Sequence, residues 1–154
     1  MKLIEWSKAF ALNLDGIDAQ HQSLFCIINR LWQAIVNRAG NDEVRRCLDE
    51  LDHYAAAHFA AEEAFMQAIR YPALMAHQRE HQDFVKRIGD ARKDVLDGAG
   101  LGLELLNFLQ LWLINHIKTA DREYADFALG QPAAKREASF LGRIFSRWGL
   151  PSGG

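Results

Sequence analysis

Histidines and carboxylates recur at helical spacing inside stripes that are otherwise apolar, and this restricts what the chain can fold into. Four of its six histidines stand in three short frames: His58-Phe59-Ala60-Ala61-Glu62, His77-Gln78-Arg79-Glu80-His81 and His116-Ile117-Lys118-Thr119-Ala120-Asp121. His21 stands upstream on its own apolar stripe. Helical residues four apart share a face, so His58 and Glu62, and likewise His77 and His81, present their polar heads in one direction. A fold that buries these stripes must bury the polar heads too.

Periodicity divides the chain into four helices. The first is expected over about 18–38, capped by Asp18, with His21, Phe25, Ile28, Trp32 and Ile35 on its inner face. The second spans about 42–69, with Val44, Leu48, Leu51, Ala55, His58, Glu62, Phe65 and Ile69 in one stripe. Tyr71-Pro72 ends it. The third covers about 73–96, with Leu74, His77, His81, Phe84, Ile88 and Val95 inward, and Asp97-Gly98-Ala99-Gly100 breaks it. The fourth runs over about 101–128, with Leu105, Leu109, Trp112, Leu113 and His116 together. Short turns between amphipathic helices predict an all-α, up-down-up-down antiparallel four-helix bundle with an N-terminal arm. The bundle should occupy residues 1–130, followed by a short C-terminal helical extension over 131–154.

At 154 residues the chain has room for one sizeable core. A net charge of −2 and a pI near 6.3 give no reason to expect nucleic acid as a partner. The extension is different. Lys135, Arg136, Arg143 and Arg147 against Glu137 leave it at +3, beside Phe140, Leu141, Ile144, Phe145 and Trp148 at helical spacing. It is expected to fold back on the bundle, or else to dock on a protein partner or an anionic membrane surface. Cys26 and Cys47 form no disulfide or metal pattern and read as buried thiols. The opening MKLIEWSKAF lacks the uninterrupted apolar stretch expected of a signal peptide, and polar residues interrupt the most apolar stretch, Leu101 to Ile117. A cytoplasmic monomer is the expectation.

A lone histidine on an apolar face is commonly a satisfied core residue. Here five histidines and two carboxylates share the interior, and a buried unpaired carboxylate costs several kcal/mol. Cations at the centre resolve that conflict. Imidazole suits iron, copper, nickel and zinc, and carboxylates can bridge two ions. His21, His58, Glu62, His77, His81, His116 and Asp121 therefore read as the ligands of a two-metal site. Asp121 is the awkward member, because five residues from His116 is about 140° round an ideal helix. A local distortion would bring it in. His53 lies off the stripe and reads as a surface residue or as one that supports the ligands from behind.

These frames resemble the hemerythrin family, its bacterial members in particular. The resemblance runs from Trp6 to about Phe127, through Asp15-Gly16-Ile17-Asp18, Gln20-His21, Glu62-Glu63, Tyr71-Pro72, Phe84 and Tyr124. It supports the bundle expectation as well. It implies two non-haem iron ions with an oxo or hydroxo bridge. His77, His81 and His116 would hold one iron, His21 and His58 the other, and Glu62 and Asp121 both. It further implies reversible dioxygen binding for storage, transport or delivery, at the iron with two histidines, and no enzymatic role. Phe25, Ile28, Phe59, Trp112 and Leu113 are candidates for an apolar wall around the dioxygen pocket. An oxygen or redox sensing module, or a di-iron enzyme acting on nitric oxide or peroxide, are the alternatives. A ferritin-like site is disfavoured because paired Glu-x-x-His motifs are missing from the inner faces. A zinc site is disfavoured because four ligands would suffice.

Overall fold

The computed structural model describes residues 1–98 and 100–130; the extension expected over 131–154 lies outside them. The order is a 3₁₀ turn (Lys8–Phe10), α1 (Asp15–Val36), α2 (Asn41–Ala68), α3 (Leu74–Leu96) and α4 (Leu103–His116). A π segment (Ile117–Asp121) and α5 (Arg122–Leu129) follow, with helical dihedrals at both joints. The last three therefore form one rod, the expected fourth helix. Each rod packs on the next, and the fourth returns to α1, closing a four-helix bundle.

The inner stripes follow the periodicity, except that Trp32, Ile35, Leu74 and Trp112 are only half-buried at the margin of the core. Every residue of the α2 stripe is buried, as are His77, His81, Phe84, Ile88 and Val95 of α3. Leu12, Ile17, Leu24, Ile28, Leu31, Leu48 and Leu51 are fully enclosed. Each such aliphatic side chain contributes roughly 1.5–3 kcal/mol relative to exposure. Three helices end in the same way, with one residue turned left-handed: Arg38, Arg70 and Gly98. After α2 the amide of Tyr71 returns to the carbonyl of Met66 at 2.8 Å, and that of Arg70 to Gln67 at 3.1 Å. This paired closure reverses the chain within few residues.

Two details depart from the expectations. The first helix begins at Asp15, so Asp18 lies inside its first turn and is no N-cap. Its carboxylate accepts the Leu12 amide at 2.8 Å instead, tying the arm to the helix. Cys26 is exposed on the outer face of α1, while Cys47 is buried. The arm itself is tightly held. Asn29 accepts the amides of Leu3 and Ile4 and donates to the carbonyl of Ile4, and Gln110 and Arg122 donate to the carbonyls of Leu3 and Ala11. Trp6 and Phe10 pack edge-on to Phe25 at 5.6 and 5.2 Å. Among the described residues no helix is long and apolar enough to cross a membrane.

Candidate metal centre

All four rods contribute to one polar centre. His21 comes from α1, His58 and Glu62 from α2, His77 and His81 from α3, His116 from the end of α4, and Asp121 from the end of the π segment. All seven are buried, whereas His53 is on the surface. Donor atoms of Glu62, His77, His81, His116 and Asp121 all lie within 4.8 Å of one another, and those of His21, His58 and Glu62 do likewise. The π segment resolves the misfit at Asp121. Bonding from residue i to i+5 sets a residue five positions on above its predecessor, which an α-helix does not. The extra residue is accommodated outward, where Lys118 and Thr119 are exposed.

The two carboxylates each face both groups of imidazoles. Asp121 Oδ1 lies 3.1 Å from Nε2 of both His77 and His116, while its Oδ2 lies 3.1 Å from Nε2 of His21. Glu62 Oε2 is 3.3 Å from His81 and 3.6 Å from His58, and its Oε1 is 3.7 Å from His21. Three of the five outer ring nitrogens are engaged elsewhere. Nδ1 of His58 donates to Gln20 (2.6 Å), that of His81 to Glu63 (2.8 Å) and that of His116 to Glu80 (2.6 Å). An ionised carboxylate and an amide oxygen only accept, so these bonds hold the proton on Nδ1 and turn the Nε2 lone pair inward.

Lone pairs therefore face lone pairs. Nε2 of His116 and His77 are 3.1 Å apart, and both nitrogens of His21, Nε2 of His81, Oε2 of Glu62 and both oxygens of Asp121 are buried without a hydrogen-bond partner. Such a set is costly unless positive charge sits among it. With the protein's own groups alone, that charge comes from protons. Burial opposes a charged His21, yet Asp121 and Glu62 outweigh it and raise His21 to about 9. Burial likewise opposes a charged His116, and the carboxylates, Asp121 first, raise it to about 9. Burial drives His58 down to about 4. Glu62 and Asp121 stay well below the usual carboxylate range despite burial, held by the surrounding histidines. The donor set fits a pair of cations: hard carboxylates that can bridge, and imidazoles already oriented by their outer edges.

The apolar candidates separate. Phe59 stacks on His81 at 3.8 Å and 8°, and Trp112 on His116 at 4.3 Å and 13°, so both lie against the side with three histidines. Phe25, Ile28 and Leu113 are buried, Phe25 beneath the rings of the arm. Sequence reasoning assigned no role to four residues that touch the centre: Gln20, Glu63, Glu80 and Tyr124. Tyr124 is fully buried and donates its hydroxyl to Oε1 of Glu62 at 2.7 Å. Burial and the nearby Glu62 push its phenol well above the ordinary value, so it remains a donor. Gln20 was the discoverable one, a buried amide beside His21 on an apolar face.

The fold and its centre define a four-helix bundle that converges five imidazoles and two carboxylates on its axis, a donor set suited to cations. Residues 12–128 match the family described as Hemerythrin HHE cation binding domain. The chain belongs to the hemerythrin family. It is 35% identical to a bacteriohemerythrin of Stenotrophomonas maltophilia, covering 96% of this chain and 99% of that one. A bacteriohemerythrin of Clostridium acetobutylicum is 34% identical over 79% of this chain and 98% of its own. The crystal structure of a wild-type hemerythrin superposes with a TM-score of 0.76 at 32% identity, covering 80% of this chain and 96% of that one.

Proposed function

We propose that this protein holds two iron ions and binds dioxygen reversibly, for storage, transport or delivery. The observation that carries the reading is the two-sided placement of Asp121, one oxygen toward His77 and His116 and the other toward His21. A carboxylate so placed suits sharing between two ions. In this reading His77, His81 and His116 would hold one iron, His21 and His58 the other, and Glu62 and Asp121 would be shared by both. The kinship with proteins named hemerythrin and bacteriohemerythrin supports iron and dioxygen as the ligands. The iron pair, when bound, supplies two-electron chemistry toward dioxygen.

The chain's own residues set the conditions. The donor set is uneven, three imidazoles against two, which reserves a position for an external ligand on the side of His21 and His58. Glu63, Glu80 and Gln20 orient their imidazoles before any ion arrives. Tyr124 fixes Glu62 by a buried hydrogen bond. Phe25, Ile28 and Leu113 keep water away from the centre, and Phe59 and Trp112 brace the rings of His81 and His116. Containment of this kind suits a carrier, since a reactive ligand meets few proton donors.

Replacing His58 or His116 with Ala tests the assignment. Each variant should purify with less iron than the wild-type chain and lose the visible bands that appear when the reduced protein meets air. Full iron content with unchanged bands in either variant would refute it. Slow autoxidation marks the wild-type chain as a carrier, whereas rapid turnover with a reductant would mark it as an enzyme.

A further inference from the structure

A cavity of about 50 Å³ opens beside the centre, lined by Tyr71, Ala73, Ala76, His77, Glu80, Ala120 and Glu123. It lies where the turn before α3 meets the π segment and α5. Three of the lining residues are alanines, whose side chains stop short of the space between the rods. The cavity is large enough to admit water. Its floor is His77, whose side chain is only 2% exposed. The inward nitrogen of that ring faces Asp121. Its Nδ1 has no protein acceptor among the described residues, unlike that of His58, His81 or His116.

The wall is anionic. Glu80 and Glu123 are both exposed carboxylates, and no lysine or arginine lines the cavity. Glu80 also accepts from Nδ1 of His116, so the cavity reaches the outer edges of two of the three histidines on that side. Its donors do not converge as those of the inner groups do, which rules out a closed chelate. Clefts lined by one sign of charge concentrate the opposite ion and hasten its passage.

We propose that this cavity is the port through which divalent metal ions enter and leave the centre, with Glu123 and Glu80 drawing the partly hydrated cation to the back of His77. The inference rests on the two-iron reading above. The port is chemically suited to a cation and serves the side with three histidines, so it is separate from the position reserved for dioxygen.

The test is anaerobic loss of iron from reduced, fully loaded, full-length protein to an excess of a bulky sulfonated ferrous chelator. Glu123→Lys places a positive charge at the mouth, and Glu104→Lys, on an exposed glutamate at the start of α4, makes the same change in net charge elsewhere. Release from Glu123→Lys should be about tenfold slower than from Glu104→Lys at low ionic strength, with the gap closing in high salt. Ala76→Phe, which fills the cavity, should slow release several-fold at every salt concentration. Equal rates in Glu123→Lys and Glu104→Lys, or release that follows the global unfolding rate, would overturn the proposal. The starting iron content tests the underlying reading separately: a wild-type chain saturated by one ion defeats that reading, whereas the port is judged on rates.

Discussion

Replacing Glu63 with Ala should weaken iron retention without removing a ligand. Oε1 of Glu63 accepts the Nδ1 proton of His81 at 2.8 Å, and Oε2 accepts from Gln78 at 3.1 Å, so the carboxylate is held at both ends across α2 and α3. Its side chain is 28% exposed, enough enclosure for a charge-assisted bond to retain most of its strength. Losing the outer partner of a metal-bound histidine costs about 10–100-fold in affinity. Here Phe59 still braces the His81 ring, stacked at 3.8 Å, so the loss should fall in the lower part of that range. We expect about 10–30-fold, or roughly 1.4–2 kcal/mol. Glu63→Gln should lose less, because its amide oxygen still accepts. Chelator competition, read as iron per chain at fixed free iron, measures this directly. Glu50→Ala is the control, since it breaks only the exposed pair with Arg30 and should change retention less than twofold. Affinity in Glu63→Ala within twofold of wild type would refute the argument that the outer edge of His81 matters.

The iron-free chain should show a pH dependence that iron abolishes on the alkaline side. His21 and His116 are raised from 6.5 to about 9, so their protons contribute stability that is complete below pH 6.5 and lost as pH rises through 9. His58 is lowered to about 4, which removes stability as pH falls from 6.5 toward that value. Denaturant unfolding of metal-stripped protein should therefore give its highest midpoint near pH 6.5; a midpoint flat or rising from pH 7 to 10 would contradict the charge balance described for the centre. Arg70 is exposed and sits at φ 56° after α2, a conformation that costs a side chain about 1 kcal/mol. Arg70→Gly should raise the thermal midpoint of the loaded protein by about 2–4 °C, and calorimetry that shows no rise would count against that strain.

The four helices were legible because amphipathic periodicity is local: a residue and its neighbours at three and four positions share a face whatever the rest of the chain does. The inner stripe of α2, with His58 and Glu62 embedded in it, was read residue by residue and is buried throughout. Helix starts were less legible. Asp18 has the chemistry of a cap, yet the Leu12 amide six residues upstream competes for the same oxygen, and that depends on where the arm runs. The exposure of Cys26 was legible from the period, since a residue five positions after His21 lies about 140° round the helix from that stripe, and the apolar neighbours Phe25 and Ile27 masked it.

Within the candidate centre the division is sharper. Sequence alone determined that His21, His58, Glu62, His77, His81 and His116 share the interior, because covalent spacing and helical pitch aim each of these six inward before any helix meets another; Asp121 is the exception. Tertiary structure decided what those side chains do there. Only packing of the rods brings Gln20 to His58, Glu63 to His81, Glu80 to His116 and Tyr124 to Glu62, contacts that span 18 to 62 residues. Only the π turn swings Asp121 under His116, a change of hydrogen-bond register that the helical period of its neighbours does not encode. Pitch is a property of a few adjacent residues, whereas the meeting of two ring edges depends on the separation and angle of whole helices, which the core packing sets.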